Sequence, residues 1–362
     1  MYGLTPVELT DWLARQEQPA YRTRQIYESL YQKGQDAPAS WTVLPKPLRE
    51  RFAREFEGPA LSLVQQQTSS DGTSKWLWRV PDGQFVETVL IPVESRSGDA
   101  SRRTVCISTQ VGCAYRCAFC ASGMKGFLRD LSAGEIVEQV VRVDRFLKTS
   151  VPGTRRVPGT RVSNVVFMGM GEPLSNYDNL IRAVRIINSP DGLKIGARKI
   201  TISTVGLVPM MERLSKEELQ LELAISLHAP NDAIRGKLMP VNKKYPMVRL
   251  LAACRAFVKA TKRLITFEYI LIDGVNDQPG HAEELAGRLK GLLCKVNLIP
   301  CHPIEQTGPG TVVFNRPPQE RMAAFEKKLK EKGIVCTLRQ SRGLDIEGAC
   351  GQLRLHQEAV VK

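Results

Sequence analysis

The chain has 362 residues, 43% hydrophobic and 24% charged, which excludes wholesale disorder and suffices for about two to three domains with a sizeable core. No apolar run approaches the roughly 18 residues of a membrane span. The opening MYGLTPVELTDWLARQ reads as an amphipathic helix rather than a signal peptide, so a cytoplasmic protein with no membrane partner is expected. Lys and Arg number 51 against 37 Asp and Glu, and the formal charge of +14 suits a polyanionic partner without identifying one.

Residues 1–58 read as a small Arg-rich helical domain. Leu9, Trp12 and Leu13 recur at helical spacing, as do Ile26, Leu30 and Tyr31, and Pro45 and Pro47 break the chain before a further helix, LRERFAREF. Over 59–102 the period shortens: LSLVQQQT, SKWLWRV and QFVETVLI predict strands of an antiparallel meander, with Asp71-Gly72 and Asp82-Gly83 in the turns. From 103 to 340 strand and helix patterns alternate. TVCIST, VSNVVFM, KITIS, LELAISL, ITFEYILI, KVNLIP and VCTLRQ are the strands, separated by helices such as AGEIVEQVVRVDRFL and QERMAAFEKKLKEK. That alternation predicts an α/β fold of βαβ units around a parallel sheet, of barrel or doubly wound form, and six or so units suit a partial barrel with its chemistry at the C-terminal strand ends. A local repeat, VPGTR at 151–155 and 157–161, predicts an exposed basic loop, and 341–362 form a tail.

Nine cysteines lie in the chain, and four of them, Cys106, Cys113, Cys117 and Cys120, fall within fifteen residues. In a reducing compartment a disulfide framework is not expected, which leaves metal binding, redox chemistry or burial. Cys113-Ala-Tyr-Arg-Cys117-Ala-Phe-Cys120 follows the strand TVCIST, where a barrel places functional loops. A structural zinc site wants four ligands, often as two C-x2-C pairs, and no second pair is present. Three thiolates on an iron–sulfur cluster instead leave one iron open to a substrate or cofactor.

The C-x3-C-x2-C word after a first barrel strand resembles the radical S-adenosylmethionine (SAM) superfamily. FVETVLIP, CISTQVGCAYRCAFCASG, NVVFMGMGEPL, ISTVGLVP, AISLHAPND, MPVNKKYP, EYILIDGVND, VNLIP and GACGQL, in that order, narrow the resemblance to the dual-specificity rRNA/tRNA adenine-C2 methyltransferases of RlmN type. It covers nearly the whole chain. It implies a partial (βα)6-type barrel over 103–340, an RNA-binding helical accessory domain over 1–58, a β extension carrying Glu87 over 59–102, and a tail carrying Cys350.

It also implies a [4Fe-4S] cluster on Cys113, Cys117 and Cys120 whose open iron chelates SAM, with SAM contacts at Gly171, Glu172, Ser203, Ser226, Leu227 and His228. Two SAM molecules are used per turnover. One methylates Cys350; the other yields the radical that activates the S-methyl group for addition to adenine C2. Glu87 then corresponds to the base that takes the C2 proton, and Cys106 to the thiolate that resolves the adduct as a Cys106–Cys350 disulfide. The residues alone would make Cys106 a buried strand cysteine, Glu87 a solvent-face glutamate and His228 a core or loop histidine. Where the family carries an SAM-contacting Asn after VNLIP, this chain has Cys301 and His302, so either His302 takes that place through a ring nitrogen or the contact is missing. Implied partners are 23S rRNA at the peptidyl-transferase centre, the anticodon loop of some tRNAs and an electron-donating reductase such as a flavodoxin system. Arg102, Arg103, Arg116, Lys125, Arg129, Lys243, Lys244, Arg339 and Arg342 are candidate phosphate contacts. Cys254, Cys294 and Cys336 read as core residues. Two other readings stand beside this one: a C8-specific (Cfr-type) rRNA adenine methyltransferase, which shares all five functional cysteines, and a non-catalytic RNA-binding protein with a structural zinc.

Overall fold

The computed structural model describes residues 1–93, 102–148, 161–302, 313–343 and 345–346. Cys350 lies outside the described residues, as does all of the VPGTR repeat but Arg161. No helix among the described residues is long and apolar enough to cross a membrane.

The chain opens with α1 (Pro6–Arg15), started by a capping box in which the Thr5 hydroxyl accepts from the Glu8 amide and the Glu8 carboxylate accepts from the Thr5 amide. With α2 (Tyr21–Tyr27) and α3 (Lys46–Glu55) it encloses an aromatic cluster, Trp12, Trp41, Phe52 and Phe56, with ring centroids 4.6–5.4 Å apart. Then come β1 (Ser62–Thr68), β2 (Ser74–Arg79) and β3 (Phe85–Val93), the expected antiparallel meander, and β3 runs antiparallel to β4 (Arg102–Cys106). A hairpin follows that the sequence patterns did not suggest: β5 (Gln110–Gly112), the short α4 (Ala121–Met124) and β6 (Phe127–Asp130).

The remainder is βα repetition: α5 (Ala133–Lys148), β7 (Asn164–Phe167), α6 (Tyr177–Asn188), β8 (Ile200–Thr204), α7 (Val208–Leu214), β9 (Glu222–Ser226), α8 (Asp232–Leu238), α9 (Met247–Thr261), β10 (Ile265–Leu271), α10 (Pro279–Leu289), β11 (Cys294–Pro300), α11 (Gln319–Glu331) and β12 (Cys336–Leu338). The ten-stranded sheet runs β1-β2-β3-β4-β7-β8-β9-β10-β11-β12, and every pairing from β4 onward is parallel. The order does not close on itself, so the barrel is partial, and the meander prolongs its wall.

The two faces of this wall differ in chemistry because side chains alternate along each strand. Outward residues meet the helices: Trp76 packs on Phe146 of α5 at 4.9 Å, Tyr269 on Phe325 of α11 at 5.3 Å, and Val105, Ile200, Ile202, Ile225 and Phe267 are fully buried. The alternate positions point inward. They include Lys75, Glu87 and Cys106 on the meander side, and Ser203, Ser226, Glu268 and Asn297 across the parallel strands.

Candidate active site

The cysteine loop sits at the C-terminal mouth of the barrel, closed at its base by the β5–β6 hairpin. The Cys113 amide donates to the Gly126 carbonyl (3.0 Å), the Cys120 amide to Cys117 O (3.0 Å) and the Ala118 amide to Leu238 O at the end of α8 (2.9 Å). Cys113 is buried, Cys117 and Cys120 half-buried. Burial pushes the Cys113 thiol up to about 12 and Cys117 well above its ordinary value, and in both the neighbouring Cys120 charge adds to the rise. All three thiols lie on this one loop, and metal binding there must displace their protons.

No set of three or more His, Cys, Asp or Glu among the described residues converges on a single metal ion. A tetrahedral zinc with ~2.3 Å Zn–S bonds needs its sulfurs about 4 Å apart. A structural zinc would want a fourth ligand beside these three thiolates, whereas a cluster takes each thiolate through a different iron and leaves one iron open, so the donor set fits an iron–sulfur cluster better than a zinc ion.

The words implied for SAM ring this loop. Gly171 has φ +97 and lies against Gln110, whose side-chain oxygen accepts from the Glu172 amide at 2.8 Å. The Glu172 carboxylate is buried and accepts from the amides of Leu174 (3.1 Å) and Val205 (2.8 Å). Burial raises its pKa to about 7 despite those bonds, and a bound ammonium would hold it ionised. Ser203 and Ser226 stand half-exposed at the ends of β8 and β9. Leu227 and His228 spend their amides on the Glu268 carbonyl (3.0 and 3.2 Å).

His228 sits in the left-handed region, φ +57, and its Nδ1 accepts from the Ile270 amide (3.0 Å). Burial, with the Arg235 charge behind it, lowers its pKa to about 3, so the ring is neutral with its hydrogen on Nε2. The ring packs edge-on against Phe119 of the cysteine loop, centroids 4.7 Å apart. His302 is half-buried just beyond β11, its pKa lowered by burial, then by Arg316 and Arg339.

Glu87 is not on a solvent face. It is 2% exposed and ion-paired at 2.9 Å with Lys75, which is 0% exposed. Register explains this: Lys75 and Cys106 both pair with Val89, two residues from Glu87, so all three side chains share the inward face. The Glu87 carbonyl accepts from Ser108 Oγ (2.7 Å), which itself accepts from the Met170 amide (3.0 Å), linking this strand to the GMGEP loop. Cys106 is buried, as expected of it. The chain a few residues before Cys350 is tied to the β1–β2 turn. Asp345 accepts from Ser69 Oγ and the Ser70 amide, and the Gly343 amide donates to Asp71 (3.0 Å).

Arg129, expected as a phosphate contact, is committed elsewhere: its Nε meets Asp82 at 2.5 Å and its two terminal nitrogens grip Glu135 at 3.0 and 2.8 Å. Arg116, Lys125, Lys243, Lys244 and Arg339 are exposed. Cys254, Cys301 and Cys336 are buried and Cys294 half-buried. The sequence reading missed Lys75, Glu268 and Arg235. Glu268, held on one oxygen by Asn297 (3.0 Å), leaves the other without a partner in the barrel. Its signal, a charged residue at an alternate position of an otherwise apolar strand, was available in ITFEYILI.

Comparison with known proteins agrees with this architecture. Residues 107–286 match the radical SAM superfamily model. The chain is 47% identical over 354 residues to a probable dual-specificity RNA methyltransferase RlmN of Geobacillus kaustophilus (strain HTA426), covering 98% of this chain and 92% of that protein. It is 45% identical, with the same coverage, to the protein of that name from Bacillus thuringiensis (strain Al Hakam). A crystal structure of a radical SAM methyltransferase from Sphaerobacter thermophilus superposes with a TM-score of 0.88 at 47% identity, covering 97% of this chain and 98% of that one. With its three-cysteine loop at the mouth of a partial barrel and near full-length identity of this order, the chain belongs to the RlmN family of radical SAM methyltransferases.

Proposed function

We propose that this enzyme methylates C2 of a specific adenosine in 23S rRNA and of an adenosine in the anticodon loop of some tRNAs. The observation that carries the proposal is the shared inward face of Glu87 and Cys106, beside a three-cysteine loop at the same barrel mouth. Adenine C2 is an electron-poor C–H with no lone pair to attack a sulfonium methyl, so polar alkylation cannot serve it. Cys113, Cys117 and Cys120 would hold the cluster, whose chemistry would be one-electron reductive cleavage of SAM to a 5′-deoxyadenosyl radical.

The chain's own residues do the rest. The Glu172 carboxylate and the polar ends of β8 and β9 at Ser203 and Ser226 orient SAM, with neutral His228 donating through Nε2 and His302 as a further contact. Cys350 takes a methyl group from a first SAM and presents the activated S-methyl carbon to C2. Glu87 accepts the C2 proton, and the unpaired electron of the adduct passes back to the electron-transfer system that supplied it, leaving a closed-shell thioether. The Cys106 thiolate then attacks the Cys350 sulfur, and the S–C bond breaks with its electron pair going to carbon, which takes a proton to become the methyl group. The disulfide left behind is reopened by an external reductant, for which a flavodoxin-type system is suited. Three residues lie between Ile346, beside the turn clamp, and Cys350, so extended chain places Cys350 within about 14 Å of that clamp. The target base must be exposed or flipped to enter, and the exposed cations around the mouth supply phosphate contacts.

The test is product analysis. Protein reconstituted without oxygen is incubated with 23S rRNA fragments or tRNA, reductant and methyl-labelled SAM, and the modified base is mapped. C2-methyladenosine is expected; C8-methyladenosine would move the chain to the C8-specific reading, and a wild-type yield from Cys350→Ala would sink the mechanism.

A further inference from the structure

Arg235, in the middle of α8, is fully buried, 0% exposed. Every hydrogen bond it makes among the described residues goes to a neutral oxygen: Asn242 Oδ1 (2.9 Å), Tyr245 O (3.3 Å), Val205 O (2.8 Å) and Ser226 O (3.3 Å). Its Nε–H meets no acceptor. Asp232, one turn earlier, has turned an oxygen to the Met247 amide instead (2.8 Å). Taking a guanidinium out of water costs several kcal/mol unless an anion compensates it.

The place of this cation in the fold says which anion. The C-terminal carbonyl of its helix, Leu238 O, is bonded to the Ala118 amide inside the cysteine loop (2.9 Å). Its guanidinium holds Val205, whose amide holds the Glu172 carboxylate (2.8 Å), and Ser226 at the end of β9. As a thiolate, the form in which it would ligate a cluster, Cys117 would act on this guanidinium more strongly than Asp232 or Cys254.

We propose that Arg235 is a positioning residue whose buried charge balances the anionic cluster held by Cys113, Cys117 and Cys120 and raises its reduction potential. The inference rests on the reading of those three cysteines as ligands. Three thiolates outweigh the positive charge of the cluster core, and reduction adds a further electron, so a buried cation alongside favours the reduced form. The same guanidinium fixes the carbonyls that set the SAM-binding ends of β8 and β9, so charge balance and ligand placement are joined in one side chain.

The test is a potentiometric titration, followed by electron paramagnetic resonance, of cluster-loaded wild type, Arg235→Gln, Arg235→Lys and Asn242→Asp, each with its iron content measured. Asn242→Asp keeps the arginine and sets a carboxylate against it, so it decides the question even should Arg235→Gln not fold. Arg235→Gln and Asn242→Asp are expected to reduce about tenfold less cluster at a fixed potential, ~59 mV lower for a one-electron couple. Arg235→Lys, which keeps the charge, is expected to stay near wild type. Loaded variants with the wild-type potential would overturn the inference alone. Wild type that holds no iron would overturn the three-cysteine reading and the inference with it.

Discussion

Replacing Gly171 with alanine tests the geometry of the GMGEP loop directly. At φ +97 an L-residue is strained, by roughly 1–2 kcal/mol on the scale of left-handed backbone. The added Cβ would also lie 2.5 Å from Gln110 Cβ, 2.7 Å from its Cγ and 2.9 Å from its backbone nitrogen. Two of those atoms belong to the backbone end of Gln110, on β5, and cannot swing aside. Relief must come from separating the two segments, which breaks the 2.8 Å bond from the Glu172 amide to Gln110 and leaves a buried donor, worth about 1–3 kcal/mol. The sum is roughly 2–5 kcal/mol. Gly274→Ala is the control, since φ there is +70 but a Cβ would meet nothing within 4 Å, so only the conformational part, ~1–2 kcal/mol, applies. Urea unfolding of the metal-free, reduced chains measures both, and SAM binding to the cluster-loaded proteins should weaken at least tenfold in Gly171→Ala only. Equal losses for the two alanines would refute the packing argument.

Lys75→Met should cost about 3–5 kcal/mol, because it leaves a buried carboxylate without the cation 2.9 Å away, whereas Lys75→Met with Glu87→Leu should recover most of the stability and none of the methyl transfer. His228 makes stability pH-dependent on the acid side. The unfolded histidine binds a proton below pH ~6.5 while the buried ring stays neutral down to about 3, so stability is fully present above 6.5 and falls by ~1.4 kcal/mol per pH unit below it. His228→Gln should flatten that slope in urea midpoints measured at pH 7.5 and pH 5; an unchanged slope would exclude this histidine as its source. Asp345→Ala, which releases the tail root from Ser69 and the Ser70 amide, should slow methyl transfer several-fold with SAM affinity unaltered, and equal rates would show that the clamp does not guide Cys350. Cys106→Ala should leave the RNA covalently joined to Cys350, visible as a retarded band on a denaturing gel; a released methylated product would remove Cys106 from the mechanism.

Much of the architecture is legible in the chain alone, because local rules govern it. Apolar strand runs alternating with amphipathic helices prescribe βαβ units, Asp-Gly turns prescribe the meander, and the spacing of Cys113, Cys117 and Cys120 brings three thiolates onto one loop whatever surrounds them. What the local rules do not carry is which remote residues meet. Lys75 in SKWLWRV and Glu87 in FVETVLIP look like ordinary exposed charges, and only the antiparallel register puts them on one inward face with Cys106. Arg235 lies in a seven-residue helix, short and polar enough to read as loop, and it is buried where Val205 after β8, Ser226 of β9 and the segment holding Asn242 and Tyr245 take its hydrogen bonds. The kind of chemistry therefore came from the C-x3-C-x2-C word and the resemblance it carries, with the +14 charge suiting an RNA partner without identifying one. The tertiary structure alone decided which buried charges surround it, since the cost of burying a charge is set by partners that lie far along the chain.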